Sequence, residues 1–390
     1  MIMKHYDYIF TGSGLSALMT VYKMILSEQF KDKKILLLDE NLKNKNDRTW
    51  CFWENKNSEW SKISSKTWDF ALFKNTDFSR TLTLEPYEYL QIRSVDFYTL
   101  VFDLISKQDN ITFLNEKVTD INELDTHVFV KTETQECSAG RVINSIVNVG
   151  AFINQHKYAV IQQHFVGWFV ETEEAVFDPN QCTFMDFSVD QKNNTRFMYV
   201  LPTSTTEALL EYTLFSKDLL PFAEYEEEIK SYLKNLGVKT FKITEKEQGN
   251  IPMTCYPFWE KNTKRVLNIG TAGGWTKAST GYTFKKTDKK SSELIKLFLQ
   301  QNDYSKLYKK DKFWFYDLLL LDILYRNNAL GSSIFSSLFK KGDPNLIFKF
   351  LDEETSLWQD FQVILKCPKL PFIKSLFRVA FLPKKFNLKS

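Results

Sequence analysis

The stretch Tyr6 to Ala17, YDYIFTGSGLSA, decides the fold. Tyr6 to Thr11 reads as a short strand, and Gly12-Ser13-Gly14-Leu15-Ser16-Ala17 matches the spacing Gly-x-Gly-x-x-Ala. The first glycine of such a run permits a tight turn, and the second lets backbone N–H groups approach a pyrophosphate. A small residue at Ala17 lets the following helix pack close to the strand, and the positive end of that helix favours phosphate charge. From Leu15 the apolar residues Leu15, Leu18, Met19, Tyr22, Ile25 and Leu26 recur at helical spacing, which predicts one buried stripe. Ile35 to Leu38 is an unbroken apolar run, as expected of a strand covered on both faces of a parallel sheet. It ends at Asp39, 27 positions after Gly12, where a carboxylate can hydrogen-bond a ribose. Residues 5–40 therefore read as a βαβ nucleotide-binding unit.

A second glycine cluster lies late, in Arg265 to Phe284, RVLNIGTAGGWTKASTGYTF. Val266 to Ile269 predicts a strand that breaks at Gly270 and Thr271. Gly273, Gly274 and Gly281 allow the backbone to approach a ligand closely. Two separated cradling loops point to FAD, which is long enough to touch both; a nicotinamide dinucleotide usually needs only the first.

The rest of the composition excludes other classes. The 390 residues carry 51 basic and 48 acidic side chains, too small an excess for a nucleic-acid footprint over the whole chain. The five cysteines are far apart with no Cys-x-x-Cys, and the four histidines lack metal-ligand spacing, so neither a disulfide framework nor a metal site is expected. The longest stretches without charge are 15 residues, short of a membrane span, and Lys4 and Asp7 interrupt any signal-type apolar region. The expectation is a cytoplasmic protein. Its 34 phenylalanines call for a large apolar interior or an apolar ligand.

Residues 1–150 read as cofactor-binding segments, with further elements over 88–150, and residues 151–249 as an inserted antiparallel sheet for substrate. Residues 250–290 return to the cofactor part, and 291–390 form a helical C-terminal region. The tail from Phe361 to Ser390 holds seven basic residues and no acid, interleaved with Leu370, Phe372, Ile373, Leu376, Phe377, Phe381 and Leu382. Such a pattern suits a membrane surface.

In order along the chain stand Asp47-Arg48-Thr49-Trp50-Cys51-Phe52-Trp53, Tyr89-Leu90-Gln91-Ile92-Arg93 and Gln163-His164-Phe165-Val166-Gly167-Trp168. Met185-Asp186-Phe187, Tyr199-Val200-Leu201-Pro202, Leu210-Glu211-Tyr212-Thr213, Ile251-Pro252-Met253 and Ser279-Thr280-Gly281-Tyr282-Thr283-Phe284 follow. In this order they make the chain resemble the lycopene cyclase family, carotenoid cyclases requiring FAD and NAD(P)H. The resemblance implies a glutathione-reductase-like, Rossmann-type α/β fold. It also implies a non-redox reaction, in which an end group of lycopene or a related linear carotenoid is protonated and closes to a β-ring. Reduced flavin is required, nicotinamide only reduces it, and work at the inner membrane face beside other carotenoid enzymes is expected.

Glu211 is the family's acid/base position, and it stands out without the family. It is the sole charge in Leu209 to Phe215, and alternation places it on one face with Leu209, Thr213 and Phe215. Asp186 is a second candidate, with a strand-end hydrogen-bonding role as the competing reading. His164 reads as a satisfied sheet histidine. The resemblance adds Arg48, Arg93, Val118 and Thr280 to the cofactor residues Gly12, Ser13, Gly14, Leu15, Ala17, Asp39, Gly270, Thr271, Gly273, Gly274 and Gly281. Trp50, Phe52, Trp53, Trp168, Phe187, Trp275 and Tyr282 are the candidate lining of a polyene tunnel. Asp352-Glu353-Glu354 imitates a plant cyclase signature but lies outside the matched order. It is assigned to solvent or a helix's first turn, with no catalytic role. A redox flavoenzyme of the same fold, such as a polyprenyl reductase or an aromatic monooxygenase, and a non-enzymatic carotenoid-binding flavoprotein remain open on the residues alone.

Overall fold

A computed structural model describes residues 3–300, 303–307 and 310–381. Leu382, Lys384, Lys385 and Lys389 of the basic tail lie outside the described residues.

The opening unit forms as its pattern demands: β1 (Lys4–Thr11), α1 (Leu15–Ser27) and β2 (Ile35–Asp39). Next come β3 (Thr49–Asn55), β4 (Lys66–Trp68), β5 (Phe70–Lys74), β6 (Ser79–Thr83), β7 (Tyr87–Arg93) and α2 (Ser94–Ile105). Then follow β8 (Ile111–Asn115), β9 (Val118–Glu123), β10 (Val128–Thr132), β11 (Glu136–Asn144) and the short α3 (Val149–Ile153). The middle of the chain supplies β12 (Val160–Thr172), β13 (Gln181–Asp186), β14 (Thr195–Pro202), β15 (Glu207–Ser216), α4 (Phe222–Asn235) and β16 (Phe241–Thr254). After β17 (Val266–Asn268) the chain is helical: α5 (Phe284–Leu299), α6 (Lys312–Arg326), α7 (Leu330–Lys341), α8 (Pro344–Leu351), α9 (Leu357–Ile364) and α10 (Lys369–Phe381).

Strands β8, β2, β1, β11 and β17 pair in that order and in parallel. This is the doubly wound arrangement, with its switch point between β1 and β11. Ile35 and Leu37 face one buried cluster and Leu36 and Leu38 another, so the apolar run of β2 is covered on both faces. On α1, Leu18, Met19 and Met24 are buried and Ile25 is half-buried, but Leu26 is 53% exposed: the buried stripe ends just before the sequence pattern does.

The second sheet runs β16-β12-β15-β14-β13-β5-β6, and β3, β7 and β4 form a small antiparallel sheet. The hairpin β5–β6 pairs with β13 and so extends the second sheet. Residues 70–83 thus leave the cofactor-binding segments that the sequence reading places over 1–150. Strand alternation gives this sheet two faces. Val166, Trp168, Leu210, Tyr212 and Leu214 pack beneath α4 with Ile229 and Leu233. The opposite face carries Leu209 and Phe215 and meets the C-terminal helices through Phe335 and Leu338.

Candidate active site

A single cavity of about 1460 Å³ runs from the glycine loop after β1 to the second sheet. Ligand sites usually enclose roughly 300–1,000 Å³, so the space can hold two ligands end to end. One end is walled by Gly14, Leu15, Ser16, Arg48, Gly270 and Thr271, the other by Phe165, Phe184, Phe197, Glu211, Thr213 and Phe215. Two long helices begin at this cavity without a side-chain cap: α1 at Gly14 and α5 at Thr283. Their free N–H groups and dipoles make both ends attractive to negative charge.

Most sequence-derived cofactor residues meet here, but not all. Gly14, Leu15, Arg48, Gly270, Thr271, Thr280 and Gly281 line the cavity. Gly12 turns the chain at φ +87° and Ala17 is fully buried at the helix–sheet contact. Ser13 donates from its N–H and its hydroxyl to Asp39 Oδ2, at 2.6 and 3.0 Å. The carboxylate thus braces the glycine loop, and it also accepts from the Asn41 N–H at 2.8 Å and pairs with Lys43 at 3.6 Å. Gly281 has φ +75°, and an added Cβ would overlap Gln163 Oε1, so only glycine fits this wall.

Four positions are elsewhere. Arg93 is spent on an ion pair with Glu245 at 2.6 Å, and Val118 packs with the β9–β10 cluster. Gly273 and Gly274 border a separate cavity of about 100 Å³ behind the loop.

Glu211 is buried at the apolar end, and burial together with the neighbouring Glu247 holds its carboxyl well above the usual carboxylate range. Register explains the meeting of the two acids. Gly167 on β12 lies opposite Glu211 on β15 and opposite Glu247 on β16, so all three share a face. A Cβ on Gly167 would sit 3.0 Å from Glu211 Cγ and 3.1 Å from Glu247 Cγ. Glycine here is the space the two carboxyls occupy. Glu247 Oε2 accepts from Thr49 Oγ1 at 2.7 Å. Across β14, Tyr199 stands opposite Glu211 and donates to Tyr89 at 2.8 Å, and Tyr89 meets Tyr282 at 3.3 Å. Glu247 and the tyrosine row were missed by sequence reading.

The other catalytic candidate is displaced. Asp186 accepts from Tyr232 at 2.9 Å and from the Ser188 N–H at 2.8 Å, and pairs with Lys74 at 3.4 Å, away from the cavity. Its role is that of a hydrogen-bonded strand end. His164 is held between Ser216 at 2.7 Å and Tyr225 at 2.6 Å, and burial depresses its pKa to about 4.

Of the tunnel aromatics, Trp50 and Tyr282 line the cavity. Phe52 stacks on Phe284, Trp53 on Phe348, and Phe187 on Phe335. Trp168 faces α4 because its parity on β12 is opposite to that of Gly167, and Trp275 is buried against α5 and the parallel sheet. These five are core. The polyene-sized wall is built instead from Phe165, Phe184, Phe197 and Phe215.

The family model described as Lycopene cyclase protein matches residues 7–377. The chain belongs to the lycopene cyclase family. It is a carotenoid cyclase on an FAD-type, Rossmann-like α/β fold. Lycopene beta-cyclase of Pantoea ananas is 26% identical over 294 residues, which cover 72% of this chain and 71% of that one. Among solved structures, a geranylgeranyl bacteriochlorophyll reductase-like protein of Thermoplasma acidophilum superposes with a TM-score of 0.61 at 13% identity, covering 97% of this chain and 100% of that one. A flavoprotein/dehydrogenase of Cytophaga hutchinsonii gives 0.60 at 12% identity, covering 93% and 99%. At these identities the likeness speaks for the fold. Among the described residues no helix of this cyclase is long and apolar enough to cross a membrane.

Proposed function

We propose that this cyclase closes the end groups of lycopene or a related linear carotenoid to β-rings without net oxidation, with Glu211 as the general acid. The observation that carries this reading is the place of Glu211. It is a buried carboxyl, its pKa pushed up by burial and by Glu247, at the phenylalanine-walled end of a cavity that begins at the glycine loop. An acid able to protonate a double bond near neutral pH must hold its proton there. The aromatic faces around it attract a cation passing through.

The glycine end fits FAD. Gly14 leaves open space where a side chain would project, and the uncapped starts of α1 and α5 offer N–H groups at two separated points of one cavity. Arg48 and Thr271 would hold the dinucleotide between them. When bound and reduced, the flavin supplies electron-rich surroundings for a carbocation; NAD(P)H is needed only to reduce it. Purified protein given lycopene and chemically reduced FAD without oxygen or nicotinamide is expected to yield a cyclic product of unchanged mass. Product heavier or lighter by hydrogen or oxygen, with NADPH consumed in step, would replace this reading with a redox enzyme of the same fold.

The substrate dissolves in lipid, and α9 and α10 present a face suited to reach it. Trp358, Phe377 and Phe381 are 67%, 61% and 76% exposed, with Lys366, Lys369 and Lys374 among them. Apolar side chains beside lysines bind anionic lipid surfaces. Asp322 ties this face to the cavity, pairing with Arg378 of α10 at 2.6 Å and with the cavity-lining Arg326 at 2.8 Å. In flotation with vesicles containing anionic lipid, Phe377→Glu with Phe381→Glu is expected to lower binding roughly tenfold or more, since each ring contributes about 1.5–3 kcal/mol when buried. Equal flotation of variant and parent would remove the membrane from this account.

A further inference from the structure

The pair Glu211–Glu247 contains an accounting problem that points to a further role. Glu247 Oε2 is satisfied by the Thr49 hydroxyl at 2.7 Å, whereas Glu247 Oε1 is buried and receives no hydrogen bond. A buried carboxylate oxygen left without a donor is costly. The group that touches Glu247 is the carboxyl of Glu211, brought to it by the glycine at position 167. No lysine or arginine among the described residues pairs with either acid; Arg93, on the neighbouring β7, is taken by Glu245. Two adjacent carboxylates without a cation cannot both be ionised cheaply, and a proton on one supplies the donor the other lacks.

We propose that Glu211 and Glu247 work as one unit that shares a single proton, Glu247 being the base that completes the ring closure Glu211 begins. The inference rests on the cyclase reading for its chemistry, though the sharing itself is a property of the folded protein alone. The O–H bond of Glu211 breaks as a new C–H bond forms at the terminal double bond of the substrate. The electron pair of the next double bond forms the ring C–C bond and leaves a cation on the ring. A C–H bond beside that cation then breaks, its electron pair becomes the ring double bond, and its proton passes to the Glu247 carboxylate. The pair again holds one proton, and no oxidant or reductant is consumed. In between, two carboxylates face one carbocation, which lowers the energy of the cation.

Lys217, Asp218 and Arg326 also line the cavity, and four titratable groups stand beside the pair: Cys51 on β3, Tyr199 on β14, Tyr89 on β7 and Tyr282 beyond β17. Burial raises all four, so they stay neutral while the pair titrates.

The test is infrared spectroscopy of the protein without substrate, combined with the pH profile of cyclisation. Wild type is expected to show the carbonyl stretch of a buried neutral carboxylic acid at pH 7, and Glu211→Gln to erase it. In Glu247→Gln the like-charged neighbour is gone, so the band of Glu211 should titrate away at a pH lower by about one unit or more. The alkaline limb of the cyclisation rate should move the same way, with turnover reduced. Glu247→Asp keeps the charge and should recover part of the turnover. A band and limb at their wild-type positions in Glu247→Gln would overturn the proposal, as would a band that survives Glu211→Gln, which serves if Glu247→Gln does not fold. The infrared arm needs no turnover. Loss of cyclase activity with the band behaving as expected would strike the function, whereas an unmoved band in an active enzyme would strike the sharing alone.

Discussion

Glu211→Gln is expected to abolish ring formation while making the protein more resistant to heat above neutral pH. General acid catalysis by a placed side chain contributes roughly 10²–10⁴-fold, and glutamine keeps the shape but has no proton to give. The stability half follows from linkage. Burial and the neighbouring Glu247 raise the folded-state pKa of Glu211 above the ordinary glutamate value of 4.5, so the folded state binds more protons than the unfolded one. Stability from this group is complete below pH about 4.5 and declines as pH rises toward the folded pKa, by about 1.4 kcal/mol for each unit. Glutamine removes that slope. A melting series from pH 5 to 9, beside pigment analysis in a lycopene-producing host, should therefore show the variant's melting temperature falling less steeply with pH and its pigment remaining linear. Retained cyclisation would dismiss Glu211 as the acid. A melting slope identical to wild type would mean that its carboxyl is ionised in the fold.

Glu211 could be found from sequence because its strand is otherwise apolar, so a single charge marks one face. Glu247 could not. It lies in β16, FKITEKEQGNIPMT, among Lys242, Glu245 and Lys246 in a strand of mostly exposed and half-buried residues. Only the three-strand register through Gly167 sets it apart, and pairing between positions 44 and 80 residues apart, Gly167 with Glu211 and with Glu247, is not written in any one strand. The same limit explains the aromatics. Trp168 and Phe165 look alike as residues, yet alternation on β12 sends one under α4 and the other into the cavity. The glycine loop was legible for the opposite reason. Gly12, Gly14 and Ala17 act within a few residues of one another, where backbone sterics alone set the outcome.

The acids at 352–354 give a second large effect. Read locally they belong to solvent or a helix's first turn; in the fold they follow the end of α8 and meet lysines more than sixty residues away. Asp352 pairs with Lys285 at 2.7 Å and accepts from Trp53 Nε1 at 2.8 Å, and Glu353 pairs with Lys286 at 2.8 Å. Lys277 is the centre of the clamp, buried at 3% exposure, 3.1 Å from Asp317 of α6 and 3.2 Å from Glu353. Its backbone accepts from the Gly281 N–H at 2.9 Å and donates to the Tyr282 carbonyl at 2.9 Å, so the ammonium anchors the loop that walls the cavity. Lys277→Met keeps the length of the side chain and leaves Asp317 buried without its cation. Removing one partner of a buried pair costs about 3–5 kcal/mol, enough to halve or worse the stability of an ordinary domain. Glu353, now held near pKa 2 by Lys277 and Lys286 against its burial, would lose part of that support. Its folded pKa would rise, so acid should harm the variant less than it harms wild type. The contribution of Glu353 in wild type is intact above about pH 4.5 and lost as pH falls toward 2, so urea unfolding at pH 7 and pH 3 should show the deficit shrinking at the lower pH. An equal deficit at both would mean that Lys277 acts by packing rather than by charge, and no deficit at all would mean that the helical C-terminal region does not hold the cavity wall in place.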